Sequence, residues 1–338
     1  MCKLFRHTFF ASILLLSKPT LGLNPDSSVV YRNIVFEGGG VRGIAYTGAL
    51  VVLQQHHKLD SLERVGGTSV GAITALLVAL NYTPDEMRTA LDDLKIQQFN
   101  DGQWFFIGGF SRMARRYGWY RGQRFERWLE GLISRKTGNP YLTFADLHQR
   151  RNQRFRDLYV TGTNLTTQRT VVFSHEQTPD MPLKTAVRIS MSIPLYFGAV
   201  FLDQHNQVVA RPRRGEAYQI LVDGGITANY PLDLFDTPGH PNPETLGLKL
   251  ERPAQLSQLQ TGNSIAPYPI HSLPDYISAF YNYVIENLNQ RGALADEQRR
   301  TIYISMEGIK PRVRRMNVAD RTTLIDSGKR AATQFLSR

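Results

Sequence analysis

Gly67-Thr68-Ser69-Val70-Gly71 places a serine between two glycines. Leu62 and Val65 precede it, and the run from Ala72 to Leu80 that follows is apolar and helical in character. The segment reads as strand, sharp turn, helix. Such a turn pushes its central side chain out where a substrate can reach it, and the flanking glycines tolerate the tight backbone. A serine presented this way is a candidate nucleophile, so the chain reads first as an acyl hydrolase. The pentapeptide alone also suits a plain Gly-Ser turn, and two further segments decide between these readings.

The first lies upstream. Tyr31 to Glu37 reads as a strand with a buried Ile34-Val35-Phe36 centre, and Gly38-Gly39-Gly40-Val41-Arg42-Gly43 follows it directly. Ile44, Ala45, Gly48, Leu50, Val51 and Leu53 then mark a helix. Three consecutive glycines leave backbone N–H groups uncovered, and the helix N-terminus adds the positive end of its dipole. The loop is therefore an anion nest, and for a transient anion it is an oxyanion hole. Gly38, Gly40 and Gly43 also satisfy G-x-G-x-x-G, with Glu63 ~20 residues on, as in a dinucleotide site. That reading ranks lower, because Glu63 opens the second strand where a ribose-binding acid should close it. No Gly-Lys-Ser/Thr follows, so a Walker loop fails.

The second segment lies downstream. Tyr218 to Val222 reads as a strand and ends in Asp223-Gly224-Gly225. A carboxylate at the C-terminal end of a strand sits where parallel sheets place their sites. In isolation the same residues read as an Asp-Gly hairpin turn.

Together these blocks resemble the patatin-like phospholipase family, from about Asn33 to about Asp233. Glu37 to Gly43 looks like the family's glycine-rich block with its basic residue, Arg42. Gly67 to Gly71 looks like its nucleophile block, and Asp223-Gly224-Gly225 like its aspartate block. Arg188-Ile189-Ser190-Met191-Ser192-Ile193-Pro194, before Tyr196 and Phe197, is similar to its small-residue segment. The family often has alanine where this chain has Ile189 and Ser192, a departure expected to touch packing more than chemistry. The resemblance implies an α/β three-layer sandwich around a central, mainly parallel sheet. It implies Ser69 as nucleophile and Asp223 as general base. Gly38, Gly39 and Gly40 would hold the oxyanion, supported by Arg42, Gly67, Gly71, Gly224 and Gly225. The implied substrate is a phospholipid or another acyl lipid, and the chemistry needs no cofactor and no metal.

Histidines test the alternative. An α/β-hydrolase triad runs serine, acid, histidine, and only His240 and His271 follow Asp223. Both lie in proline-rich loops. His56, His57, His148, His175 and His205 show no metal-ligand spacing, and there is no H-E-x-x-H or paired-cysteine pattern, so zinc is not expected. A non-catalytic lipid- or partner-binding protein on a degenerate hydrolase fold is the other alternative.

Composition sets outer bounds. The 338 residues permit one large domain or two small ones. Cys2 is the single cysteine, which rules out an internal disulfide. Lys3 and Arg6, the apolar run Phe9 to Leu16 and the small residues up to Gly22 have the three parts of a secretory signal. The expected division is a signal over 1–22 and one hydrolase domain over 23–338, with its core at about 31–250 and a C-terminal helical extension at about 271–338. A secreted or periplasmic location follows, with export into another cell by a different route as the alternative. Net charge is +11, and losing Lys3, Arg6 and Lys18 with the signal leaves the chain basic. Anionic partners are favoured. Nothing resembles a nucleic-acid motif, so the expected partner is an anionic membrane touched peripherally.

Trp104 to Arg121 mixes aromatics with arginines, and its glycines interrupt any single period. It reads either as a lid over Ser69 at a lipid interface or as a connector packed on the core. Helices are expected at Pro84–Leu94, Arg121–Ser134, Pro182–Ser190, Tyr276–Leu294 and Asp320–Leu336. Strands are expected at Asp157–Gly162, Thr170–Phe173, Leu246–Leu250 and Thr301–Ser305. Gln255 to Pro274 reads as a loop, and Lys310 to Arg315 as a solvated basic run. Alternating strands and helices argue for a mainly parallel sheet covered on both faces.

Overall fold

In the strand Asn33–Phe36 (β1) every residue is buried, yet its neighbours divide by parity. Ile34 and Phe36 enter the main hydrophobic core, while Val35 enters a smaller one with Tyr159, Leu232 and Phe235. A strand covered on both faces belongs in the middle of a sheet with a layer on each side.

The computed structural model describes residues 29–338 apart from 93–95, 103–104, 211, 214, 262–265, 273–275, 277–278, 281–282, 284–293 and 310–315. The expected signal, Trp104, most of the helix expected at Tyr276–Leu294 and the basic run at 310–315 lie outside the described residues, as do the side chains of 105–107.

Among the described residues nine further strands follow β1: Arg64–Gly67 (β2), Gly118–Tyr120 (β3), Asp157–Asn164 (β4), Arg169–Phe173 (β5), Leu195–Phe197 (β6), Val200–Leu202 (β7), Gln219–Asp223 (β8), Thr245–Glu251 (β9) and Thr301–Ser305 (β10). Eight form one sheet in the order β10-β9-β1-β2-β4-β8-β7, with β5 also on β4. The stretch from β10 to β4 is parallel throughout. β3 and β6 pair separately. The helices include Ala45–Gln55 (α1), Val70–Ala79 (α2), Pro84–Asp92 (α3), Phe105–Arg116 (α4), Gln123–Thr137 (α5), Phe144–Gln149 (α6), Leu183–Ser190 (α7), Gly225–Ala228 (α8) and Pro253–Thr261 (α9). This is the α/β sandwich with a central, mainly parallel sheet.

The two covering layers are unequal. Helices α1, α2, α5, α7 and the closing helix Val318–Leu336 fill one face. All ten residues of α2 are buried, as expected of a helix apolar on every side. The segment Tyr230–Phe235 covers the other face. Leu324, Ala332 and Phe335 of the closing helix join the same core as Ile34 and Phe36.

Glycines let α1 and the closing helix touch backbone to backbone. A Cβ on Gly48 would stand 1.9 Å from the Ile325 carbonyl oxygen, and one on Gly328 would stand 2.0 Å from that of Ala45. Gly48→Ala is therefore expected to destabilise the fold by roughly 1–3 kcal/mol despite alanine's better helix propensity. Urea denaturation measures this, and an unchanged midpoint would contradict the contact.

Three expectations meet a different structure. Trp104 to Arg121 contains α4 and then β3. Gly109 does not break the helix but clears space, since its Cβ would meet the Trp119 ring at 2.6 Å. The loop expected over Gln255 to Pro274 begins inside α9, whose Pro253 occupies a first-turn position that proline suits. β8 runs antiparallel to β4, so Asp223 does not end a parallel strand.

Register explains how Asp223 nevertheless reaches Ser69. Val160 of β4 is flanked by Gly67 of β2 and Phe173 of β5; Gly162 is flanked by Asp223 of β8 and Val171 of β5. With β5 on one edge throughout, β2 and β8 share the other edge and meet end to end. Asp223 pairs two residues beyond Gly67's partner, level with Ser69.

Candidate active site

Ser69 joins β2 to α2 with φ 55° and ψ −123°. A residue with a Cβ pays for that left-handed φ in strain, and such strain concentrates at functional turns. The glycines on either side permit it. A Cβ on Gly67 would lie 2.3 Å from the Gly71 oxygen, and one on Gly71 would lie 2.3 Å from the Phe36 oxygen. The turn is thus pressed against the end of β1. Ser69 is 7% exposed. Its N–H donates to Ser190 Oγ at 2.8 Å, and its hydroxyl donates to the Met191 sulfur at 3.3 Å.

Asp223 is 1% exposed. Its Oδ1 accepts the Gly225 N–H at 2.7 Å, while Oδ2 is buried without a hydrogen-bond partner among the described residues. Burial pushes its pKa up to about 7; the Gly225 N–H and the neighbouring Ser69 hydroxyl restrain the rise. The Ser69 hydroxyl therefore stands beside the carboxyl but is turned towards Met191 in this conformation. The Asp223 backbone is tied as well: its N–H donates to the Ser192 carbonyl at 3.0 Å, and its carbonyl accepts the Thr163 hydroxyl at 2.8 Å. Gly224 packs against β4, where a Cβ would meet the Thr161 oxygen at 2.5 Å.

The glycine loop leans on the same turn. A Cβ on Gly38 would lie 3.3 Å from the Ser69 Cβ. The Gly38 N–H is committed, donating to the Asn229 carbonyl at 3.0 Å. Gly39 and Gly40 open a 3₁₀ turn, Gly40–Ile44, at the position where N–H groups lack helical acceptors. Arg42 Nε donates to the Gly39 carbonyl at 3.0 Å. In a trans peptide the C=O and N–H point oppositely, so this bond turns the Gly40 N–H away from Arg42. Beneath the loop, Glu37 accepts the Leu250 N–H at 2.8 Å and the Asn229 side-chain amide at 3.2 Å. Its burial raises its pKa to about 8, against the pull of Lys249.

Sequence reading missed several participants. Ser190 and Met191 contact Ser69, and Ser192 contacts Asp223, so the small-residue segment touches both. Arg188 braces it from within, donating to Ser192 Oγ and to the carbonyls of Arg121 at 2.8 Å and Gly198 at 3.1 Å. Asn229 links Glu37 to Gly38 and had no signal of its own. Glu63 makes an exposed ion pair with Arg32. His240 and His271 are exposed and are not among the hydrogen-bond partners of Ser69 or Asp223. The histidine spacing, which showed no metal pattern, hides a convergence: His148, Asp157 and His175 bring one donor atom each to within 4.8 Å of one another.

Ser69 thus stands on a strained strand-to-helix turn, beside a buried carboxyl and a glycine-rich 3₁₀ N-terminus. The model of the patatin-like phospholipases matches residues 34–236. The chain belongs to the patatin-like phospholipase family, and this makes it a lipid ester hydrolase by family. It is similar to YqhO of Bacillus subtilis, 31% identical over 216 residues, covering 61% of this chain and 67% of that protein. It is also similar to the protein named "Probable lipid hydrolase 463L" of Invertebrate iridescent virus 6, 25% identical over 210 residues, covering 60% of this chain and 63% of that protein. Among solved structures, VipD from Legionella pneumophila shares the fold at a TM-score of 0.56 and 18% identity, covering 91% of this chain and 67% of that one. No helix among the described residues is long and apolar enough to cross a membrane.

Proposed function

We propose that the chain is a lipid acyl hydrolase of phospholipase A or lysophospholipase type working through a serine–aspartate dyad. The observation that carries this reading is the buried, unpartnered Oδ2 of Asp223 beside Ser69, on a carboxyl whose pKa lies at about 7. A free aspartate, near ~3.9, is too weak a base at neutral pH. Here burial removes that mismatch, and the carboxylate can take a proton near neutrality. The Ser69 hydroxyl turns from Met191 to Asp223, gives up its proton and attacks the ester carbonyl. The tetrahedral oxyanion is held by N–H groups of the glycine loop. Of Gly38, Gly39 and Gly40, the latter two have no backbone acceptor among the described residues and open the 3₁₀ turn, so they are the proposed donors of this conformation. Asp223 returns the proton to the leaving alcohol, and water then releases the fatty acid by the same route in reverse.

Gly67, Gly71, Gly224 and Gly225 shape the turns, and Arg42 sets the Gly39–Gly40 peptide. The substrate is an acyl lipid met at a membrane surface. Phe110, Tyr117 and Leu195 are exposed near the basic end of α4, with Arg115 and Arg116, which suits an anionic interface. A secreted or periplasmic setting fits the basic, apolar and small-residue order of residues 1–22, and delivery into another cell is the alternative.

A fluorophosphonate probe tests the dyad. One adduct is expected per chain, on Ser69, with a labelling rate that rises towards a plateau through about pH 7. An unlabelled, folded chain would favour the non-catalytic lipid-binding alternative.

A further inference from the structure

A second constellation stands at the other end of β4. Asp157 opens the strand, His148 lies in the last turn of α6, and His175 follows β5. Asp157 pairs with Arg64 at the start of β2, so it sits about 15 Å along the strands from the level of Ser69. We propose that His148, Asp157 and His175 form a binding site for a divalent transition metal, with zinc the best match to two imidazoles and a carboxylate.

The donor spacing fits. His148 Nδ1 is 2.9 Å from Asp157 Oδ1, a hydrogen bond whose proton a metal ion would displace, and His175 Nδ1 is 3.9 Å from the same oxygen. Tetrahedral zinc with bonds near 2.0–2.1 Å holds neighbouring donors about 3.3 Å apart, between these two values. His175 Nδ1 is buried without a hydrogen-bond partner. A ring nitrogen desolvated in this way is costly, and an ion would satisfy it. The other nitrogen, Nε2, faces Glu176 Oε1 at 3.8 Å, and that oxygen is fixed by the Tyr159 hydroxyl at 2.9 Å. That distance is too long for a hydrogen bond, but a carboxylate on this side favours the proton on Nε2 electrostatically, which leaves the Nδ1 lone pair for the metal.

Two features set the character of the site. Arg151 lies 3.4 Å from Asp157 Oδ2, so the carboxylate offers Oδ1 alone and a cation already stands nearby. Affinity is thereby moderate. The imidazoles are stacked, with centroids 3.9 Å apart and planes 14° from parallel. A metal lies in the plane of each ring it binds, so one ring must turn on binding. His148, at 35% exposure against 19% for His175, is the freer, and water takes the fourth position from its side. The ion would clasp α6, β4 and the turn after β5, away from the acyl chemistry.

The test uses the full chain stripped by EDTA. Co²⁺ is expected to give the visible bands of a tetrahedral site, saturating at one equivalent, and Zn²⁺ to displace it. Zinc at about 100 times Kd should raise Tm by roughly 3–6 °C. His148→Gln and His175→Gln should each weaken binding at least tenfold, and Ser69→Ala should leave it unchanged. Zinc should also protect His148 and His175 of the unaltered chain from diethylpyrocarbonate, which locates the ion even where a variant fails to fold. The proposal fails if cobalt gives no saturable one-equivalent spectrum, or if the ion binds without protecting these two histidines.

Discussion

Ser69→Ala is expected to abolish phospholipid and nitrophenyl-ester hydrolysis, lowering kcat/KM by roughly 10⁴- to 10⁶-fold. Asp223 and the glycine loop cannot substitute for the missing oxygen, because neither offers a nucleophile at that point. The variant should fold as well as the parent, since alanine keeps the Cβ and therefore the strained turn at φ 55°. Ser69→Gly should lose as much activity but gain about 1–2 kcal/mol of stability, because glycine adopts that φ freely. Lipid turnover and urea denaturation on the two variants separate chemistry from strain. Residual activity above about one part in 10³ in either variant would sink the assignment of the nucleophile.

Asp223→Asn carries two effects of opposite sign. Hydrolysis should fall by roughly 10³- to 10⁵-fold, because an amide cannot take the serine's proton. Stability should rise, but only above about pH 4. Burial lifts the folded-state pKa to about 7, whereas the unfolded chain titrates near ~3.9. The native fold thus favours the neutral carboxyl. The resulting stabilisation is fully present below about pH 4 and is lost as pH rises through about 7. Asparagine is neutral throughout, so its advantage over the parent should be absent at pH 4, grow between pH 4 and 7 and then level off. Its upper bound is about 4 kcal/mol. The parent's kcat/KM should climb through the same window, as the base must be ionised to act. A stability difference that did not change between pH 4 and pH 8 would remove the argument for a perturbed carboxyl.

Much of the architecture could be read from local pattern, because the signals there are local. Ile34-Val35-Phe36 is apolar at consecutive positions, which only a strand buried on both faces needs. Gly67 and Gly71 flank Ser69 because backbone oxygens stand where side chains would go. Four blocks in order were enough for the family. What escaped depends on partners distant in sequence. The direction of β8 follows from its pairing with β4, which no property of Tyr218 to Asp223 reveals. The commitment of the Gly38 N–H requires Asn229, nearly two hundred residues away. The contacts of Ser190 and Met191 with Ser69 run through a hydroxyl and a thioether that carry no motif. His148, Asp157 and His175 meet only because α6 and the turn after β5 fold against the start of one strand.

With Ser69 and Asp223 as the proposed dyad, the end-to-end meeting of β2 and β8 on β4 makes hydrolysis a test of correct assembly. Side chains alternate across a pleated strand, so a slip of β8 by a single residue would send the Asp223 carboxyl to the opposite side of the sheet. No intermediate alignment retains partial competence. On the proposed dyad, a chain that condenses with this seam misjoined would be catalytically silent until the last strands have found their places.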